Sequence, residues 1–208
     1  METAIITVRD VRVDLGGHTV FREVDLTAGP EEIVAVAGEN GAGKSTLLRC
    51  LAGLQTPSGG QIRVLGGPPA DTAGFWREVV SAGDEPAWYP GLSVREHVEL
   101  VLSVHGGGRL SVESALSAFQ LERRAELHPL TLSTGQRQRV SLAMALARPS
   151  RLLLLDEPER GLDADFRERL AGILREYAAQ SGTIVMATHD IALAEACGAR
   201  LVTLEAAR

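Results

Sequence analysis

Cysteine is scarce in this chain: Cys50 and Cys197 are its only two. Two thiols cannot build a disulfide framework. Each lies in an apolar, helix-like stretch, which predicts buried thiols in a reducing compartment. Basic residues are also in short supply, with 21 Lys and Arg against 27 Asp and Glu and a net charge of −6. That balance argues against general binding of nucleic acid or acidic lipid, which needs excess cations to neutralise phosphates. No nucleic-acid partner is expected, although a local phosphate site is not excluded. Long apolar runs are missing as well, since none approaches the roughly 20 residues that cross a bilayer. Met1-Glu2-Thr3 does not open a basic-then-apolar secretory signal.

What is present suits a folded domain: 208 residues, 45% hydrophobic and 23% charged, enough for one core or a core with a smaller subdomain. The first third reads as β-structure, with Ile5 to Val13 and Thr19 to Leu26 split by a Gly16-Gly17 turn. Ile33 to Ala37 is a continuous apolar run, as expected of a strand buried on both faces. A helix follows from Ser45, then a strand from Gln61 to Leu65. In the middle, Ser93 to Glu96 forms a capping box that opens a helix stopped by Gly106-Gly107-Gly108. A second helical stretch runs from about Ser111 to Glu126. The last third alternates again: a helix after Ser133, strand Leu152 to Leu155, helix Asp163 to about Ala179, strand Thr183 to Ala187, and a short helix from Asp190. Such alternation predicts an α/β fold with a mostly parallel sheet covered on both faces. The chain ends soon after the last helix, so no C-terminal regulatory domain is expected.

Gly38-Glu39-Asn40-Gly41-Ala42-Gly43-Lys44-Ser45-Thr46 fits the pattern G-x-x-x-x-G-K-[ST] between a buried strand and a helix. Glycines let backbone amides wrap phosphate oxygens, and the helix start adds the positive end of its dipole. Lys44 is expected to reach the β- and γ-phosphates, and the Ser45 hydroxyl to ligate Mg²⁺. The motif indicates a nucleotide, not the use made of its energy.

Leu132-Ser133-Thr134-Gly135-Gln136 before an Ala/Leu-rich helix resembles the LSGGQ signature of ABC ATPases. Leu152 to Leu155 followed by Asp156-Glu157-Pro158 resembles their Walker B strand, Gly161-Leu162-Asp163 their D-loop, and His189 their switch histidine. All follow the phosphate loop in the family's order and span nearly the whole chain. Read as chemistry, Asp156 ends a buried strand where a carboxylate holds Mg²⁺ through water, and Glu157 polarises the attacking water. His189, taken alone, reads as a satisfied core histidine; beside Glu157 at the sheet mouth it reads as a γ-phosphate contact. Ser133 and the neighbouring amides, including that of Gly135, form an anion site at a helix start. The resemblance implies that this anion is ATP held by a second chain, with Gln136 part of the contact, so that two chains sandwich two ATP molecules head to tail. His18, His97, His105 and His128 show no metal spacing and are expected at the surface.

Three positions depart from the family. Leu15 stands where many members stack an aromatic ring on adenine, which removes an aromatic term of about 1 kcal/mol. Asp84 stands where they carry a Gln that ligates Mg²⁺ and reports to the membrane partner. Its carboxylate still offers oxygen to the metal but adds charge near the triphosphate. Thr134 replaces a signature glycine, and a β-branched residue disfavours positive φ.

The resemblance implies a P-loop NTPase core of ABC-ATPase type over 1–83 and 149–208, with an N-terminal antiparallel β-subdomain and an inserted helical subdomain over 84–148. It implies an ATPase using ATP and Mg²⁺, working as a homodimer or as a heterodimer with a similar ATPase. Integral membrane transporter subunits would be its partners, holding it on the inner face of the cell membrane. Trp88 and Tyr89 read either as anchors for that partner or as core packing. The rival is a non-transport ABC-type ATPase that acts as a regulatory or assembly switch.

Overall fold

The computed structural model describes residues 4–83 and 86–207. Strands β1 (Ile6–Leu15), β2 (His18–Ala28) and β4 (Gly59–Val64) form one sheet in the order β2-β1-β4, and β1 pairs antiparallel with both neighbours. The Gly16-Gly17 turn joins β1 to β2 with both glycines at positive φ, 58° and 82°, a conformation that costs other residues more. A second sheet runs β5 (Val79–Ala82), β6 (Leu152–Asp156), β7 (Thr183–Ala187), β3 (Ile33–Ala37) and β8 (Arg200–Thr203), with every pairing parallel.

Continuous apolar strands suit this second sheet because both of its faces are buried. Side chains alternate across a strand. Ile33, Ala35, Leu153, Leu155, Ile184 and Met186 therefore join one core cluster. Val34, Val36, Leu152, Leu154, Val185 and Ala187 join the other. The first cluster is closed by α5 (Thr134–Ala147), α6 (Ala164–Ala179) and α7 (Ile191–Ala196), and the second by α1 (Lys44–Leu51) and the antiparallel sheet. Both cysteines are buried thiols.

Between β5 and β6 lie α3 (Val94–His105), α4 (Val112–Ala118) and α5. The Ser93–Glu96 capping box forms in full. The helix expected from Ser111 to Glu126 is shorter: α4 stops at Ala118, and a 3₁₀ turn covers Glu122–Arg124. Gln120 adopts φ 56°, while the Leu121 and Gln120 amides donate to the Leu116 and Ser117 carbonyls at 2.8 and 3.1 Å. These are the two bonds of a Schellman cap, and the burial of Leu116 and Leu121 completes it. Sequence reading also passed over α2 (Ala73–Glu78), β5 and β8. Each is six residues or fewer, too short for a periodic signal. Among the described residues no helix is long and apolar enough to cross a membrane.

Candidate functional site

Register brings the chemistry together. Ala187 at the end of β7 pairs with Val36 on one side and Asp156 on the other. Thr188 donates its amide to Val36 at 3.1 Å, and Glu157 donates its amide to Ala187 at 2.9 Å. The cradle after β3, the carboxylates after β6 and the histidine after β7 therefore leave the same edge of the sheet. This is the carboxyl edge, where open α/β sheets bind ligands.

The cradle is tight. A Cβ on Gly38 would lie 2.4 Å from the Leu204 carbonyl oxygen, and one on Gly43 would lie 2.7 Å from both Val20 and Phe21. Gly43 also holds φ at 96° as it starts α1, with no side-chain cap and no acidic residue in the first turn. The first amides of α1 are thus left for an anion. Lys44 is buried, and its Nζ donates to the Gly38 and Glu39 carbonyls at 2.8 and 3.1 Å. Its ammonium is bent back over its own loop. Ala42 is buried and Thr46 half-buried, whereas Glu39, Asn40, Gly41 and Ser45 are exposed. Leu15 is exposed at the end of β1, opposite His18.

Asp156 and Glu157 are both partly exposed. Glu157 adopts φ 47°, an uncommon conformation for a residue with a side chain. Gly83 packs so close to Asp156 that a Cβ there would fall 2.4 Å from the aspartate Cβ. Asp84, the next residue and a sequence-based metal candidate, lies outside the described residues. His189 is no core histidine, since 59% of its side chain is exposed. Its Nδ1 stands 3.7 Å from Glu157 Oε1 and 3.6 Å from Glu159 Oε1. Sequence reading missed Glu159, whose side chain is only 3% exposed. Among the described residues no cluster of three or more His, Cys, Asp or Glu is arranged to hold a metal.

Ser133 caps α5: its Oγ accepts the Gln136 amide at 3.3 Å, and Gln136 Oε1 accepts the Ser133 amide at 3.1 Å. This second capping box was present in the sequence as S-x-x-Q. It leaves the Thr134 and Gly135 amides without a partner inside the helix. Thr134 is the first helical residue and has no positive φ, so its β-branch carries no penalty there. Arg139, three residues past Gln136, donates to Asp163 Oδ2 at 2.7 Å and stacks 3.9 Å from the Phe166 ring centroid. The Phe166 amide, and then the charge of Arg139, hold the Asp163 carboxyl below its usual range. Ser133, Gly135, Gln136, Arg123 and Arg124 line an open cleft of about 360 Å³ that no cradle residue lines.

His97 is not at the surface, being 1% exposed. Its Nδ1 meets the Ser93 carbonyl at 2.7 Å, and its Nε2 accepts the Tyr89 amide at 3.0 Å, so the ring proton sits on Nδ1. Trp88 packs against the core and meets the His97 ring edge-on, with centroids 5.5 Å apart. Tyr89 is 56% exposed. Burial therefore assigns Trp88 to packing and leaves Tyr89 on the surface.

A buried strand, a glycine cradle and a helix start, flanked by a carboxylate pair and a histidine, define a nucleotide-phosphate site of the P-loop class. The family model described as "ABC transporter" matches residues 21–160. A putative ABC transporter ATP-binding protein of Streptomyces avermitilis is 42% identical over 207 residues, covering 97% of this chain and 36% of that protein. The chain thus spans about a third of that relative's length. The cytochrome c biogenesis ATP-binding export protein CcmA of Bradyrhizobium diazoefficiens is 38% identical over 174 residues, covering 84% of this chain and 86% of that one. Among solved structures, a dimeric post-hydrolysis state of the ATP-binding cassette MJ0796, bound to ADP and Pi, superposes with a TM-score of 0.82. It shares 26% identity, with 96% of this chain and 94% of that chain covered. The chain belongs to the ABC transporter family and is an ATP-binding chain of the ABC ATPase type.

Proposed function

We propose that this chain is the ATP-hydrolysing, energy-coupling subunit of an ABC transporter, working as a head-to-tail dimer on separate membrane subunits. The observation that carries this reading is the shared sheet edge, where the Lys44 cradle, the Asp156–Glu157 pair and His189 leave β3, β6 and β7 in register. In this reading the core covers 1–83 and 149–208, and a helical subdomain covers 84–148.

The amides of Gly38 to Thr46 bind the phosphates, and Lys44 leaves its loop carbonyls for the β- and γ-phosphate oxygens when substrate enters. The Ser45 hydroxyl and Asp156 are hard oxygen donors of the kind that hold Mg²⁺ together with substrate phosphates. When bound, Mg²⁺ supplies charge neutralisation for the transferred phosphoryl group. Glu157 orients and polarises the attacking water, and His189 fixes the γ-phosphate from the neighbouring strand. The glycines fit this use: Gly38 and Gly43 let the loop pack against Leu204, Val20 and Phe21 where a Cβ would clash, and so allow the curvature that aims backbone amides at phosphate.

The dimer follows from the signature. Ser133, Gly135 and Gln136 open α5 beside a cleft that their own cradle does not share, so the anion they suit comes from a second chain. A relative of similar fold was solved as a dimer with ADP and Pi, which supports that arrangement. The related protein is by its name an ATP-binding export protein, and the exposed Tyr89 is the contact we assign to the membrane subunits, which hold the chain at the inner membrane face. Glu157→Gln tests the reading. Hydrolysis should fall about 10²-fold or more, the usual scale for losing a general base, while ATP binding persists and an ATP-bound dimer accumulates on size-exclusion chromatography. Near wild-type turnover would refute the assignment.

A further inference from the structure

Glu159 is a carboxylate placed where carboxylates are rarely left. It is 2% exposed, on the turn between β6 and α6. Its Oε1 accepts the Thr188 hydroxyl at 2.6 Å, and its Oε2 is buried without a hydrogen-bond partner among the described residues. A buried acceptor left unmade costs stability, of the order of 1–3 kcal/mol or more for a charged group. A hydrophobic or hydroxyl side chain would fill this place with less penalty. The carboxylate makes sense only if something needs it.

The group beside it is the His189 ring. Nδ1 stands 3.6 Å from Glu159 Oε1, slightly closer than its 3.7 Å to Glu157 Oε1. The hydroxyl that Glu159 accepts belongs to Thr188, and that hydroxyl in turn accepts the Asp190 amide at 2.9 Å. Glu159 therefore holds the backbone on both sides of His189 and faces the ring itself. Asp190, next in the chain, accepts from Arg167 of α6 through its Oδ2 at 3.1 Å. Catalytic contacts are often long in the absence of substrate and tighten when it binds.

We propose that Glu159 is the positioning residue of His189. Its buried carboxylate draws the ring proton to Nδ1 and fixes the plane of the imidazole, and so settles where Nε2 points. Glu157 shares the same Nδ1 at rest. A second, buried partner at the same nitrogen frees Glu157 for water without letting His189 swing. The proposal rests on the catalytic reading of Glu157 and His189 given above.

The test is a long-range ¹H–¹⁵N correlation spectrum of the His189 ring, assigned by its loss in His189→Ala; with five histidines in the chain the spectrum is simple. The expected result is an Nδ1-protonated ring in the wild type and a shift toward the Nε2-protonated form in Glu159→Gln, which keeps the size of the side chain and an acceptor for Thr188. A neutral wild-type ring protonated on Nε2 overturns the proposal, and needs no variant to fold. So does an unchanged ring spectrum in a folded Glu159→Gln protein. In turnover, Glu159→Gln should lower kcat about tenfold, the usual scale for a supporting partner, with KM for ATP little changed. It should add nothing further in a His189→Ala background, because neighbours acting through one group are not additive. An equal loss in both backgrounds contradicts the assignment. Should Glu157→Gln or His189→Ala keep full turnover, the catalytic reading fails by itself, and the ring spectra still decide whether Glu159 sets His189.

Discussion

Gly135 and Gly161 meet backbone to backbone: a Cβ on Gly135 would lie 2.3 Å from the Gly161 carbonyl oxygen. The start of α5 and the turn after β6 are thereby locked together, and the Arg139–Asp163 pair closes the same junction at 2.7 Å. Gly135→Ala sets two effects against each other. Alanine is the better helix former by about 1 kcal/mol, but a methyl group pressed on a backbone oxygen forces a shift costing about 1–3 kcal/mol. No flexible side chain can give way there, so the clash wins. The melting temperature should fall and turnover with it. A rise in the melting temperature would show that the junction is looser than the structure has it.

Ser133→Arg should abolish turnover while leaving ATP binding by the monomer close to wild type, because Ser133 borders the cleft and not the cradle. Loss of the cap lowers stability by only about 1 kcal/mol, too little to unfold the chain. Wild-type specific activity should rise with protein concentration wherever the dimer is scarce. A constant specific activity from a proven monomer would rule out the composite site.

His97→Ala should destabilise the chain by about 2–4 kcal/mol, since it opens a cavity and strips the Tyr89 amide of its partner, while the Ser93 carbonyl keeps the backbone amide of residue 97 at 3.0 Å. Chemical denaturation measures this directly. The Trp88–Tyr89 segment should become more protease-sensitive in the same variant, and an unchanged midpoint would mean that the segment is held by something else.

Burial pushes the Cys50 and Cys197 thiols up to about 11 from an ordinary 9.0. Both should resist thiol reagents at pH 7.5 until the protein is unfolded, since the thiolate is the reactive form. The folded state holds these protons more tightly than the unfolded one, so stability is intact below about pH 9 and falls as pH climbs toward 11. Rapid labelling of native protein at pH 7.5 would contradict this.

Most of the site was legible in the chain because its chemistry is local. The cradle needs glycines at set spacings before a lysine, and β3, β6 and β7 announce themselves as unbroken apolar runs with polar residues at their ends. The signature start is likewise a local cap, written in Ser133 and Gln136. By contrast, β5 and β8 are four residues each, and they become strands only by pairing with β6 and β3. His97 reads as a surface residue, and Trp88 stays open between partner anchor and core packing, because nothing local distinguishes a buried ring from an exposed one.

The sequence by itself determined the kind of site, since phosphate binding depends on backbone shape and helix starts that a short run of residues encodes. It also determined which strands are buried on both faces, through their lack of polar residues. Only the tertiary structure decided how these pieces face one another. The parallel register sets Asp156 and Val36 on either side of Ala187, and that alignment, not any motif, collects the cradle, the acids and the histidine at one edge. Tertiary packing alone buried Glu159 beside His189 and Thr188. Burial is a property of what comes from elsewhere in the chain to cover a side chain, so no reading of neighbouring residues contains it.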